Sequence, residues 1–273
     1  MRIGFVTCVQ LGLSCMEAID VAGGKIDVAF TLHDELAPQK SGRVWIDDFC
    51  DPRDIPLVKL RNINDGELFD SVRQFDVDWL FIIGWSQIAR AEVLNGPKRG
   101  VLGMHPTLLP EGRGRASVPW AILKGLTRTG VTLFKLDDGV DTGPIVAQEI
   151  VSLGPDETAT TLYPRIAEAH AVLIRNVWPK LVADSLVLTP QDESRASLWP
   201  GRTPEEGRIL PSMTVAEVDR LVRAVTRPYP GAFFDQDGSR SVVWAGSVVE
   251  LADSQPIKLA DGNYWATETE MIG

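Results

Sequence analysis

Residues 77–85, "VDWLFIIGW", form a nearly continuous apolar run. Such a run, without polar alternation, suits a strand covered on both faces, as parallel strands are when helices pack above and below. Residues 99–105, "RGVLGMH", repeat the pattern and end on a histidine. Outward from this pair, "RIGFVTCV" (2–9), "IDVAFTL" (26–32), "IPLVKL" (55–60) and "TGVTLFKLD" (129–137) read as further strands. Between them, residues 13–23 set Leu13, Met16 and Ile19 at helical spacing and stop at Gly23 and Gly24. Residues 64–76 carry Leu68, Val72 and Phe75 on one side of a helix, and 118–125 give another. The longest helix spans 158–183, with a stripe of Leu162, Ile166, Ala169, Leu173 and Val177, and Pro164 in its first turns. Residues 33–54 are polar and broken by Pro and Gly, the pattern of a long surface loop with one helical turn.

Strands alternating with helices predict an α/β, Rossmann-like, mostly parallel sheet with helices on both faces. Ligands then gather at the carboxyl ends of the strands, where Gly84, Trp85 and His105 fall. Composition shifts near residue 189. "TPQDESRASLWPGRTPEEGRI" (189–209) reads as a linker, followed by a helix at 214–225 and short strands, 240–251 among them. The expected division is a catalytic domain over 1–188 and a small C-terminal β-rich, OB-like domain over 189–273.

The formal net charge is −10, a poor basis for general nucleic-acid binding, which depends on phosphate neutralisation by Lys and Arg. No apolar run approaches the roughly 18 residues of a membrane-crossing helix. The three cysteines, Cys8, Cys15 and Cys50, form no CxxC pair, and buried free thiols in a reducing cytoplasm are expected.

His105, one of three histidines, ends its strand and is followed at once by "PTLLPEGRGR". Histidine is suited to proton transfer near neutrality, and a strand end is where doubly wound folds place such a group. A second element, "LDDGVDTGPIV" (136–146), packs three aspartates into a glycine-rich turn. Asp137, Asp138 and Asp141 resemble calcium ligands, but not at EF-hand spacing, and no metal is expected. Glycines at 139 and 143 suit close approach of backbone to a planar ligand, and one aspartate can orient an imidazole.

Together, "MHPTLLPEGRGRASVPWAILKG" and "TGVTLFKLDDGVDTGPIVAQ" resemble the folate-dependent formyltransferase family, strongly over 78–180 and weakly before that. That family includes methionyl-tRNA formyltransferase, glycinamide ribonucleotide transformylase and bacterial sugar N-formyltransferases. Residues 199–234 also resemble the C-terminal domain of the tRNA and amino-sugar members. The resemblance implies formyl transfer from N10-formyltetrahydrofolate to a primary amine, through a tetrahedral oxyanion. It implies that His105 moves the proton or stabilises the charge, and that Asp141 holds the imidazole or a water and favours its cationic form. The turn Leu136, Asp137, Asp138, Gly139 and Val140 is implied on one side of a folate slot, and Trp85, Ser86, Gln87 and Ile88 on the other. Arg113, Arg115 and Thr107 are candidate acceptor-binding residues, either arginine being a structural ion-pair partner otherwise. His33 and His170 look incidental.

One position departs from the family's Asn-x-His pattern: here it reads Gly103-Met104-His105. Positions 103 and 105 share a strand face, so glycine removes an amide donor beside His105 and is expected to leave a gap. Loss of one oxyanion donor costs about two to three powers of ten in rate if nothing replaces it. Gln87 or Ser86 is a candidate replacement; a bulkier acceptor in the gap, or a folate-binding protein with impaired catalysis, is the other outcome. The acidic charge favours an amino sugar, nucleotide-linked or of nonulosonate type, over methionyl-tRNA or a hydroxyornithine-type amine. The expected partner is thus a small molecule, with neither nucleic acid nor membrane involved, and the family's habit of pairing points to a homodimer.

Overall fold

The computed structural model describes residues 1–40, 42–236 and 238–272. In chain order its strands are β1 (Ile3–Val6), β2 (Val28–Leu32), β3 (Leu57–Leu60), β4 (Trp79–Ile82), β5 (Gly100–His105), β6 (Arg113–Gly114), β7 (Arg128–Lys135), β8 (Ile145–Ser152), β9 (Leu198–Trp199), β10 (Ala232–Gln236), β11 (Ser239–Ser247), β12 (Gln255–Lys258) and β13 (Asn263–Ile272). Its helices are α1 (Gln10–Val21), α2 (Asp47–Cys50), α3 (Gly66–Gln74), α4 (Ala91–Leu94), α5 (Ser117–Leu123), α6 (Ala159–Val182) and α7 (Val215–Val225). Residues 33–54 hold more structure than one turn: α2 lies between 3-10 turns at Asp34–Gln39 and Asp51–Arg53.

The main sheet has seven strands in the order β3-β2-β1-β4-β5-β7-β8. β3, β2, β1, β4 and β5 are mutually parallel. Phe5 and Phe81 sit in register on β1 and β4 and stack at 5.6 Å. Val6, Phe30, Leu60, Leu80, Ile82 and Val101 pack into one buried cluster with Leu68 and Val72 of α3. The all-buried pattern of β4 is the physical origin of its uninterrupted apolar run. The expected stripe of α6 is buried in full, as are His170 and Trp178 on the same helix.

β7 runs antiparallel to β5, with Lys135 opposite Leu102 and Thr132 opposite His105. The carboxyl end of β7 therefore lies beside the start of β5, with Leu136 N–H donating to Val101 O at 2.9 Å. β8 was not legible in sequence. As a sheet edge strand it is mostly half-buried or exposed and carries little apolar signal.

By contacts the chain forms two compact units. The first gathers Met1–Arg113, Gly130–Ile150 and Ile166–Ser197; the second gathers Gly114–Thr129, Val151–Arg165 and the chain from Leu198 on. Residues 189–197, read from sequence as linker, thus belong to the first unit. The second unit holds a four-stranded antiparallel sheet, order β10-β11-β13-β12, against which α7 packs. A capping box opens α7: Thr214 Oγ1 accepts from Glu217 N–H at 3.3 Å, and Glu217 accepts from Thr214 N–H at 2.8 Å. Val218, Leu221 and Val222 form its buried face. Among the described residues no helix is long and apolar enough to cross a membrane.

Candidate active site

His105 ends β5 and is buried. Its Nε2 lies 2.7 Å from the Gly112 carbonyl oxygen. A carbonyl can only accept, so Nε2 carries a proton and donates. Nδ1 faces Asp141 Oδ2 at 3.6 Å, beyond a direct hydrogen bond but within reach of a shared charge or a bridging atom. Each ring nitrogen is thus directed at an oxygen, one from the loop after β5 and one from the turn after β7.

The turn 136–144 brings Asp141 there. Lys135 N–H donates to Pro144 O at 3.0 Å and closes it. Inside, Asp137 Oδ1 accepts from Gly139 N–H at 3.1 Å and from the Thr142 hydroxyl at 2.6 Å, so Asp137 shapes the turn. A Cβ at Gly143 would stand 1.8 Å from Lys135 O, which makes glycine obligatory there. Asp141 itself has φ 56°, a left-handed conformation that aspartate tolerates better than most side chains. The turn folds back over the β5 face that carries positions 103 and 105: Leu136 covers Gly103 and Asp141 reaches His105.

The expected gap at Gly103 is absent. A Cβ built there would meet Leu136 Cδ2 at 2.6 Å and Cγ at 3.2 Å. Leucine fills the space that an amide side chain needs. Nor is the missing donor replaced from 86–87. Gln87 Oε1 accepts from Ile63 N–H at 2.7 Å and Trp85 Nε1 at 3.0 Å, while its Nε2 points to Arg61 O at 3.4 Å. Ser86 Oγ lies 3.4 Å from Lys40 Nζ. Both side chains are engaged away from His105, Gln87 with Trp85 and the 61–63 segment and Ser86 with Lys40.

Arg113 is also committed. Its guanidinium forks onto Glu193 at 2.6 and 2.9 Å and onto Gln191 Oε1 at 2.8 and 3.2 Å, and the residue is buried. The carboxylate pushes the Arg113 pKa up, and Arg113 holds the Glu193 carboxyl below its usual range. Arg113 is a structural ion-pair partner rather than the free acceptor-binding residue expected from sequence. Arg115, in the second unit, is exposed, with its N–H donating to Trp199 O at 3.1 Å. The Thr107 hydroxyl is buried without a partner among the described residues. Trp85 packs half-buried against Cys8, Val9 and Leu32. His33 Nδ1 lies 3.8 Å from Glu35, far along the chain from this site. His170 is fully buried with Nδ1 2.7 Å from Ile166 O; burial pushes its pKa down to about 4, the His105 charge adding to the effect.

Several residues of this site carry no sequence signal. Thr132 Oγ1 accepts from Leu109 N–H at 3.0 Å and donates to Thr107 O at 2.7 Å, and Gln148 Nε2 donates to Leu109 O at 2.8 Å. These bonds anchor the loop that follows His105. Gln191 and Ser197 contribute from the segment read as a linker.

The family model described as "Formyl transferase" matches residues 35–177, more than half of the chain. The chain belongs to the formyl transferase family. The model of the "Formyl transferase, C-terminal domain" matches residues 202–272 of this formyl transferase. Its fold is similar to that of a methionyl-tRNA formyltransferase from Clostridium thermocellum, at 20% identity and TM-score 0.64, over 99% of this chain and 98% of that one. It is similar also to an N-formyltransferase from Helicobacter canadensis, solved with folinic acid and dTDP-3-aminofucose, at 16% identity and TM-score 0.71, over 99% and 100%. HypX from Aquifex aeolicus shares the fold at 18% identity and TM-score 0.70, over 98% of this chain and 44% of that longer chain. At such identities the likeness concerns the fold.

Proposed function

We propose that this formyl transferase moves a formyl group from N10-formyltetrahydrofolate to the primary amine of an amino sugar, nucleotide-linked or of nonulosonate type. The observation that carries the reading is the buried His105 with Nε2 on the Gly112 carbonyl and Nδ1 beside Asp141. The donor supplies the activated formyl carbon. Its slot is assigned to the two stretches expected from sequence, where Ile88 and Val140 are apolar and 74% and 50% exposed, and Asp138 and Gly139 are open. Exposed apolar groups beside open backbone fit a planar heterocycle.

In this reading the amine nitrogen bonds to the formyl carbon, and the carbon–N10 bond breaks after an oxyanion has formed. Nδ1 of His105 is the ring nitrogen without a hydrogen bond among the described residues, so it takes the amine proton or faces the oxyanion. Asp141, 19% exposed by side chain, balances the charge that His105 gains. No side-chain amide stands at position 103, so His105 meets the oxyanion without that donor. The acidic chain, net −10, supports a small-molecule acceptor over tRNA. The same reading places the protein in a reducing cytoplasm as a homodimer. It takes a catalytic domain and a small C-terminal domain that part near residue 189, with the 189–197 segment staying on the catalytic side, and leaves Arg115 and Thr107 as acceptor-binding candidates.

The test is turnover. Purified protein is incubated with the donor and a panel of nucleotide-linked amino sugars, nonulosonates, hydroxyornithine and methionyl-tRNA, following tetrahydrofolate release. Release with an amino sugar, abolished in His105→Asn, is the expected result. Folate binding without turnover on any amine overturns the enzyme reading, and turnover confined to methionyl-tRNA or hydroxyornithine overturns the acceptor.

A further inference from the structure

The two oxygens that face His105 come from separate pieces of chain, so their relative placement needs a tie. Gly112 lies in the loop after β5, and Asp141 lies in the turn between β7 and β8. Residues 189–197 bind both. At one end Thr189 and Ile145 exchange two backbone hydrogen bonds of 2.8 Å just beyond the Asp141 turn. Gln191 Nε2 then donates to two carbonyls of that turn, Asp141 O and Gly143 O, each at 2.8 Å. At the other end Ser197 Oγ accepts from Gly112 N–H at 2.9 Å, Ser197 N–H donates to Pro110 O at 3.2 Å, and Ser197 O accepts from Arg113 N–H at 2.9 Å. Arg113, gripping Gln191 Oε1 and Glu193, joins the two ends.

We propose that Gln191 is a positioning residue that sets the His105–Asp141 pair from behind. The inference rests on the reading of that pair as catalytic. Its amide is used at both ends. The oxygen takes Arg113, whose own backbone adjoins Gly112, and the nitrogen takes the carbonyl of Asp141 itself. Asp141 sits at a positive φ, a less populated conformation that neighbouring bonds help to hold. Gln191 supplies two such bonds, across the Asp141–Gly143 segment. They hold the backbone from which the carboxylate reaches 3.6 Å from Nδ1, and losing them loosens that placement. A displacement near 1 Å is enough to matter, because proton transfer and charge stabilisation depend steeply on placement.

The isosteric change Gln191→Glu separates this role from general stability. It keeps the oxygen that Arg113 holds and turns the donor into a second acceptor facing two carbonyls. Gln191→Ala removes both ends. Two readouts apply, kcat and KM in the turnover assay above, and the ring resonances of His105 in the free protein, traceable because the chain has three histidines. In both variants kcat is expected to fall about tenfold or more, with KM for the acceptor changing little and Gln191→Glu, which keeps the Arg113 contact, still folded at the assay temperature. The His105 ring signals are expected to move while those of buried His170 stay in place. Arg195→Ala, which removes an exposed pair with Glu111 on the same segment, serves as the neutral control. Unchanged His105 signals in a folded Gln191→Glu protein overturn the proposal, as does a kcat within twofold of wild type. If the wild type turns over no amine, the functional reading falls, and the resonance experiment alone decides the role of Gln191.

Discussion

Replacing Gly103 by alanine adds a single carbon where Leu136 already lies. The new Cβ stands 2.6 Å from Leu136 Cδ2 and 3.2 Å from its Cγ, so the isobutyl group must retreat by close to 1 Å. The backbone at 103 is not in the left-handed region, so conformational strain does not confuse the result. Leu136 is half-buried and packed against the Val6–Val101 cluster, which limits its retreat. Overpacking of this kind costs about 1–3 kcal/mol. At about 2 kcal/mol, a chain of this size loses roughly 4–8 °C of Tm. The decisive comparison is a cycle with Leu136→Ala, which vacates the space. The double variant should be more stable than the sum of the single effects predicts, with a coupling of about 1–2 kcal/mol. Gly103→Asn carries the same clash and pushes Leu136 along the face that holds Asp141, so it should be slower than wild type. In the background of Leu136→Ala it should recover rate, because the amide then fits beside His105. Thermal unfolding and steady-state rates measure both limbs. A Gly103→Ala protein as stable as wild type, or strictly additive effects in the cycle, would refute the reasoning.

Asp141→Asn keeps a residue that tolerates positive φ and removes only the charge, so kcat should fall about a hundredfold with little change in Tm; Asp141→Ala should in addition lose about 1 kcal/mol to backbone strain. His170 gives a pH signature. Its folded pKa, about 4, lies below the ordinary 6.5, so the unfolded chain binds the proton first. Stability is therefore full above about pH 6.5 and declines toward pH 4, by on the order of 3 kcal/mol over the window. Urea unfolding at pH 7.5 and pH 5 should show about 2 kcal/mol of that loss, and His170→Gln should flatten it. All three cysteines are buried, with the Cys50 thiol pushed up to about 12 and Cys15 higher still by desolvation. A thiol-titrating reagent should find none in the native protein and three after denaturation, and rapid labelling of native Cys15 would contradict its burial.

The amino-acid sequence by itself determined the parallel core, because strands buried on both faces must be apolar along their length, as 79–82 are. It determined the α6 stripe for the same reason, since burial imposes the helical period on Leu162, Ile166, Ala169, Leu173 and Val177. It also marked His105 and Asp141, whose residue types and positions after strands are local facts. The tertiary structure alone decided what stands beside them. That Leu136 covers Gly103 follows from the antiparallel placement of β7, which no local pattern encodes. Arg113, Gln87 and Gln191 are polar residues in polar segments, and the sequence does not say whether such a side chain meets solvent, ligand or protein. Apart from Trp85, their partners lie from 24 to 80 residues away along the chain. A hydrogen bond is specified by the meeting of two groups in space, and that meeting is a property of the folded chain.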